Sequence, residues 1–221
     1  MPKLSKSKIL QYERCPFSYK LFNIDNIKIT TKNEAMQRGS EIHEIMDRAY
    51  GTEGKTIKDA IAEAAKHPKF KEHESIIVSN IEKDRDYTGT DDFIKPLFRE
   101  IKIYDSEINI SGIIDRVDFD GKNKIVYDYK TGQKHPIENY IFELSLYAFL
   151  FEKEYQQTIT HIGIQFLDRT ERVIVPLQRE WIREAVEKVI YIRKLINEGC
   201  FEKKHGWWCR FCEGGMNGYC K

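Results

Sequence analysis

The sequence has no apolar run of the roughly 20 residues needed to cross a bilayer. Its start, MPKLSKSK, is basic but lacks the apolar stretch of a secretory signal. Both absences point to a cytoplasmic protein with no membrane role. A charge excess of either sign is also missing. The 36 Lys and Arg oppose 35 Asp and Glu for a net charge of +1, so any contact with nucleic acid must come from a local basic patch. Cysteine is sparse, and five cysteines without a secretion signal favour metal binding or catalysis over disulfides. No internal repeat, low-complexity segment or clear linker divides the chain. At 221 residues, with 41% hydrophobic and 32% charged, it suits one globular domain spanning 1–221.

The periodicity predicts the elements. Residues 5–22 read as a helix with Ser5 or Ser7 as cap and Pro16 interrupting it. Residues 34–50 read as a second helix, with Ile42, Ile45, Met46 and Ala49 on one face and Gly51 at the stop. Further helices are expected at 56–66 and 72–85, where KDAIAEAAK has high propensity. The period then changes to two, giving strands at about 97–104, 107–119 and 123–130, with a hairpin signal at Asp120-Gly121. A helix from Pro136 to about Tyr155, strands in TITHIGIQFL and ERVIVPL, and a helix from Arg179 to Asn197 follow. The tail, 200–221, is rich in Cys, Gly and aromatics. The order α-β-β-β-α-β predicts an α/β fold with a mixed sheet flanked by helices. The helix at 137–155 crosses over to return a parallel strand, and 52–95 forms a helical insertion.

Within this pattern GIIDRVDFDGKNKIVYDYKTG, residues 112–132, places Asp115, Asp128 and Lys130 in strands that otherwise read as buried. Asp128 and Lys130 are two apart and share a face, while Ile125, Tyr127 and Tyr129 take the other. The hairpin makes the strands antiparallel and sets Asp115 beside Asp128. Two carboxylates and an ammonium on one face suit a hard divalent cation, Mg²⁺ or Mn²⁺, with the lysine orienting or deprotonating a water. The bland alternative is a surface hairpin with an Asp–Lys pair. Gly112 and Gly132 leave space at the margins of the run. On the helix 34–50, Gly39 lies four residues before His43 and is expected to leave room beside the imidazole. Glu143 and Tyr147 are also four apart and share a helix face. A structural His, a surface Glu and a packing Tyr are the ordinary readings of those three.

The second constellation is in the tail. Cys209 and Cys212 form a Cys-x-x-Cys pair, and Cys220 follows after seven residues, a strong metal signal. The fourth ligand is open among Cys200, His205 and Cys15. Spacing alone slightly favours zinc, with a four-cysteine iron–sulfur cluster as the competitor.

Taken in order, Cys15-Pro16 after a Ser-rich helix start, RGSEIH, GIIDRVD, DYK, a Leu-x-x-Tyr helix, and Cys-x-x-Cys with a last Cys resemble the PD-(D/E)XK nuclease superfamily. The similarity is strongest to its iron–sulfur RecB-like exonucleases, which include AddB nuclease domains and small CRISPR-associated exonucleases. It spans roughly Ser5 to Cys220 except the helical stretch 52–95. The α-β-β-β-α-β order is also that superfamily's restriction-endonuclease-like core. The resemblance implies a Mg²⁺- or Mn²⁺-dependent nuclease of DNA, single-stranded or with free ends, with protein partners in recombination or CRISPR adaptation. His43, Asp115, Asp128 and the Tyr129 carbonyl would hold the metal, and Lys130 would be the catalytic lysine. Tyr147 would contact DNA or support the site. Cys15, Cys209, Cys212 and Cys220 would ligate a 4Fe-4S cluster joining the termini, 1–22 and 200–221. Glu100 corresponds to a further acid by a weaker match.

The chain departs from that pattern in two places. Glu143 stands where the family has Gln, free to pair with Lys130, bind metal or repel phosphate. The stretch EGGMNGY lengthens the last cysteine spacing, so that a local Zn²⁺ site without Cys15 stays open, and Cys200 is an extra thiol. The rival function is a zinc- or cluster-stapled nucleic-acid-binding protein, weakly catalytic or not at all. Basic residues gather at both termini, and Trp207 and Trp208 are candidates either for stacking on bases or for packing the tail.

Overall fold

The protein is described from a computed structural model over residues 3–28 and 34–220. The outermost ends of the expected domain, residues 1–2 and 221, lie outside the described residues. The N-terminal segment is helical with the expected interruption at Pro16, and a short strand precedes the helices. It opens with a two-residue strand, β1 (Leu4–Ser5), and continues as α1 (Lys6–Arg14) and α2 (Pro16–Asn23). The break falls at Cys15, an extended residue, because Pro16 lacks the N–H to continue α1 and is preset to begin α2. Then come α3 (Glu34–Tyr50), α4 (Ile57–Ala64), α5 (Phe70–Glu82) and α6 (Asp84–Thr88). The strands β2 (Phe98–Asp105), β3 (Ile110–Phe119) and β4 (Lys124–Lys130) follow. The chain ends with α7 (Ile141–Tyr155), β5 (His161–Phe166), β6 (Glu171–Pro176), α8 (Arg179–Asn197) and a short α9 (Glu213–Met216). β3 starts three residues later than its apolar pattern suggests. Asp105 accepts from Ile108 N in the preceding turn, and Asn109 takes a positive φ of 47°, so the chain is still turning there.

The sheet is mixed. β2 pairs antiparallel along one edge of β3, from Phe98↔Val117 to Asp105↔Ile110. The other edge is divided: β4 takes it antiparallel over Arg116–Phe119, and β1 takes it parallel at Ile110–Ser111. β4 then pairs parallel with β5, a connection that needs the crossover helix α7, and β6 closes the far edge antiparallel to β5.

Two apolar cores lie on the two faces. One gathers Ile9, Tyr12, Ile114, Val117, Val126, Leu144, Leu146, Ile162 and Val189, from α1, β3, β4, α7, β5 and α8. The other gathers Ile42, Ile45, Met46, Ala60, Ile77, Tyr129 and Leu167, around α3, α4 and α5. Each fully buried aliphatic or aromatic side chain contributes about 1.5–3 kcal/mol of transfer free energy. The segment 57–88 is tied to the sheet by buried polar bonds as well. Gln165 donates to Asn80 (2.9 Å), Asn80 donates to the Leu167 carbonyl (2.8 Å), and Arg172 pairs with the fully buried Asp84. Arg116 pairs with Asp118 (2.6 Å) and lies 4.1 Å over the Tyr50 ring.

One irregularity positions the site. Phe98, Ile101 and Ile103 of β2 all reach the first core, and so do Ile114 and Val117 of β3. A strict two-residue alternation cannot do this. Each strand therefore carries one residue out of step, Glu100 in β2 and Asp115 in β3. The register would make these two partners, but the ladder runs from Arg99↔Arg116 to Ile101↔Ile114 without them. Glu100 has φ +46°, the left-handed region that non-glycine residues adopt only under constraint.

Candidate active site

The divided edge of β3 creates the cleft. β4 leaves β3 after Arg116↔Tyr127, and continuing that register would set Asp115 opposite Asp128. The strands have parted there, and Asp115 Oδ2 instead accepts the Tyr129 N–H at 2.7 Å. Helix α3 brings His43 across, its Nδ1 3.6 Å from Asp115 Oδ2 and its ring edge-on to Tyr129 at 5.5 Å. His43, Glu100 and Asp115 can each offer a ligand atom to one cation. The compact metal-sized group thus contains Glu100 beside His43 and Asp115, with Asp128 next to it.

Asp128 belongs to an adjoining chain of charges. Lys130 Nζ forms an ion pair with the buried Asp128 Oδ2 at 2.5 Å. Lys130 Nζ also donates to Glu143 Oε1 at 2.8 Å. The same oxygen accepts from Lys6 Nζ at 2.5 Å. Lys6 arrives because β1 pairs with Ile110 and Ser111 and α1 starts at the next residue. Tyr147, one turn beyond Glu143 on α7, packs its ring on Gly112. A Cβ at Gly112 would come within 3.0 Å of that ring and 2.9 Å of Leu150, so this glycine admits the helix and leaves no open space. Gly39 likewise faces Thr131, with a Cβ 3.3 Å from its hydroxyl, and does not make room for His43. Gly132 serves the turn after β4, where φ is +90°.

The electrostatics fit a missing positive charge. Burial, then Asp115, pushes the Glu100 carboxyl up to about 7. Burial, then Asp115 and Glu143, pushes Asp128 well above the usual carboxylate range. Glu143 goes the other way: burial opposes its charge, but the hydrogen bond with Asp128, then Lys130 and Lys6, hold its pKa down at about 2. Burial also works against a charged His43, yet the bond and charge of Asp115, then Glu100, raise its pKa. Crowded carboxylates are what a hard divalent cation with oxygen and imidazole ligands would relieve.

The second group lies where the termini meet. Phe17 N donates to the Glu202 carbonyl (3.3 Å) and Lys204 Nζ to the Glu13 carbonyl (3.0 Å). The Cys220 thiol is pushed up by burial, then by the thiols of Cys212, Cys15 and Cys209, and Cys15 and Cys212 line one hollow. Cys200 stands elsewhere, its carbonyl bonded by the Tyr12 hydroxyl. Among the described residues, no three thiols are close enough to share a single ion as they stand. Of the two tryptophans, Trp207 is 73% exposed, whereas Trp208 is half-buried against Gly206.

Lys6 is the site residue that periodicity did not single out, and no local signal marks it: only the β1–β3 pairing brings it to Glu143. Glu100 does carry a signal, as the polar residue at which the Phe98, Ile101, Ile103 spacing slips.

Among solved structures, the fold is similar to a crystal structure described as a "Putative exonuclease" from Eubacterium rectale, at 10% identity and a TM-score of 0.58, covering 98% of this chain and 88% of that one. Another, described as SSO0001, has 12% identity and a TM-score of 0.37 over 82% of this chain and 95% of that one, too distant to add weight. No curated protein sequence matches. Residues 3–220 match the family model of the PD-(D/E)XK nuclease superfamily, and with that extent the chain belongs to this superfamily.

Proposed function

We propose that this nuclease is a metal-dependent exonuclease of DNA, acting on single strands or free ends. The observation that carries the reading is the meeting of His43, Glu100 and Asp115 with the Asp128–Lys130–Glu143 chain where β3 and β4 part. A bound Mg²⁺ or Mn²⁺ would supply Lewis acidity at the scissile phosphate and lower the pKa of an attacking water. The protein's own groups do the rest. Tyr129 N–H fixes the Asp115 carboxylate, and Asp115 with Glu100 sets the orientation of His43. The Tyr129 carbonyl is a further candidate ligand. Lys130 is held between Asp128 and Glu143, where its ammonium can orient the water and neutralise charge developing on the phosphate. Tyr147 supports the floor from α7. Burial opposes the charge of Lys130, but Asp128 and then Glu143 raise its pKa, so the resting protein keeps it protonated.

At the termini, Cys15, Cys209, Cys212 and Cys220 are proposed to hold one 4Fe-4S cluster that clamps the chain's ends. Cys15 and Cys212 line one hollow where the chain's ends meet, and the resemblance implies Cys209 and Cys220 as their companions. No helix of the described residues is long and apolar enough to cross a membrane. A cytoplasmic role in DNA repair, recombination or CRISPR-type processing, with protein partners there, is the corresponding proposal.

The test uses 5′- and 3′-labelled single-stranded and duplex DNA with Mg²⁺ or Mn²⁺, with RNA as comparison. Stepwise shortening of DNA by the wild-type protein and its loss in folded Asp115→Asn are expected. Wild-type cleavage by Asp115→Asn, or no cleavage by the wild type with either metal, would overturn the proposal.

A further inference from the structure

A hollow of about 570 Å³ adjoins the charge chain, bounded at its inner end by Tyr147 and around its rim by Lys3, Lys6, Lys102, Tyr104 and Ile113. No carboxylate lines it. In a chain whose net charge is +1, the Lys3 and Lys102 ammoniums, with no carboxylate partner among the described residues, make one side of the hollow positive, while the charge of Lys6 is matched by Glu143. The sheet places them. In the β2–β3 register Lys102 lies across from Ile113 and Tyr104 across from Ser111, and side chains two apart share a face. The β1 pairing with Ile110 and Ser111 brings Lys3 and Lys6 to the same rim.

These groups have little internal work to do. Lys102 makes no hydrogen bond or ion pair among the described residues, and Lys3 Nζ rests 4.3 Å over the Tyr104 ring. Tyr104 and Ile113 are 48% and 45% exposed, an apolar surface that no helix covers. Lys6 is the link inward, since it lines the hollow and donates to Glu143, which holds Lys130. The hollow is therefore continuous with the catalytic group and not a separate surface.

We propose that this hollow seats a nucleotide flanking the scissile phosphodiester, with strand phosphates against Lys3 and Lys102 and the base against Tyr104 and Ile113. Cations beside an exposed aromatic ring match a single strand, whose phosphates are anionic and whose unpaired base offers a stacking face. An acidic protein partner could satisfy the lysines but would leave the continuity with Tyr147 and Glu143 without a purpose. The assignment rests on the nuclease reading and names the part of the substrate that the hollow takes.

The experiment measures affinity for a labelled oligo-dT octamer across a salt series, with Ca²⁺ replacing the catalytic metal. Each of Lys3→Ala and Lys102→Ala should flatten the log affinity against log salt slope by about 0.7, and the double variant by about 1.4. Tyr104→Ala should weaken binding about 5- to 160-fold, the range for losing one stacked base, with the slope unchanged. Lys71→Ala, on the distant α5, should alter neither. Wild-type slope and affinity in a double variant that melts like the wild type would overturn the proposal, and so would a wild type that does not bind. Cleavage by the wild type with Mn²⁺, scored separately, keeps a failure of this inference distinct from a failure of the nuclease assignment.

Discussion

Glu143 and Lys6 should behave as one unit. Glu143 Oε1 accepts from Lys6 at 2.5 Å and from Lys130 at 2.8 Å, and its side chain is only 6% exposed. Removing Lys6 leaves a buried carboxylate with one cation in place of two, and Lys130 is then drawn toward Glu143 and away from Asp128. Breaking a fully buried charged pair costs about 3–5 kcal/mol. The Lys6 side chain is 23% exposed, and water screens part of that loss, so about 1–2 kcal/mol is expected here. If the loss falls on the placement of Lys130, cleavage slows roughly 5- to 30-fold in Lys6→Met. Glu143→Gln alone should also slow the reaction, because two ammoniums then converge on a neutral amide. In Lys6→Met/Glu143→Gln one positive and one negative charge are lost together, and Lys130 regains its balance with Asp128. The double variant should therefore cleave faster than the product of the single effects predicts, with a coupling of about 1–3 kcal/mol. The assay is a double-mutant cycle on cleavage rate at saturating strand, with melting temperatures to separate folding from catalysis. Additive single effects in folded proteins would refute the shared-oxygen account.

Two further predictions concern charge and sulfur. The folded pKa of Glu100, about 7, lies above its ordinary carboxylate value, so between those pH values the folded metal-free chain binds more protons than the unfolded one, and its stability falls as pH rises through that window. Thermal unfolding with chelator from pH 4.5 to 8 should show this decline, flattened in Glu100→Gln and reversed in direction by Mn²⁺, whereas an identical pH profile for Glu100→Gln would rule out the assignment. Protein prepared without oxygen should be brown with about four irons per chain; Cys15→Ser should lose them and Cys200→Ser keep them, and colourless protein with about one zinc that depends on Cys200 would favour the local site.

Much of the architecture is legible because single elements carry their own signal. α3 and α8 begin and end where their apolar stripes do, at 34–50 and 179–197, and the Asp120-Gly121 turn joins β3 to β4 with Gly121 at φ +93°. β1 is not legible: two residues carry no period, and Leu4–Ser5 is a strand only because Ile110–Ser111 offers an edge that β4 has left. The site divides along the same line. Asp115, Asp128, Lys130 and His43 stand out as polar residues in apolar patterns. The entry of Glu100 into the compact group depends on a backbone distortion at φ +46°, which no spacing rule contains. The partnership of Lys6 with Glu143 spans 137 residues and exists only after the sheet has formed.

The parting of β3 from β4 joins fold to function in one physical step. A fully paired β3 would satisfy its backbone but would bury Asp115 against Asp128 with nothing to separate their charges. Dividing the edge between β4 and β1 opens that space, admits His43 from α3 and Lys6 from α1, and leaves the Gly112–Asp115 stretch unpaired on that side. The result is a crowding of carboxylates, visible in the raised pKa of Glu100 and Asp128. The two cores on either face hold that arrangement against its own repulsion. A site held open in this way is preorganised for a cation, since binding relieves charge strain and requires little rearrangement of the sheet. The same opening lies beside the lysine-lined hollow at Tyr147, through which the proposed strand would reach the carboxylates.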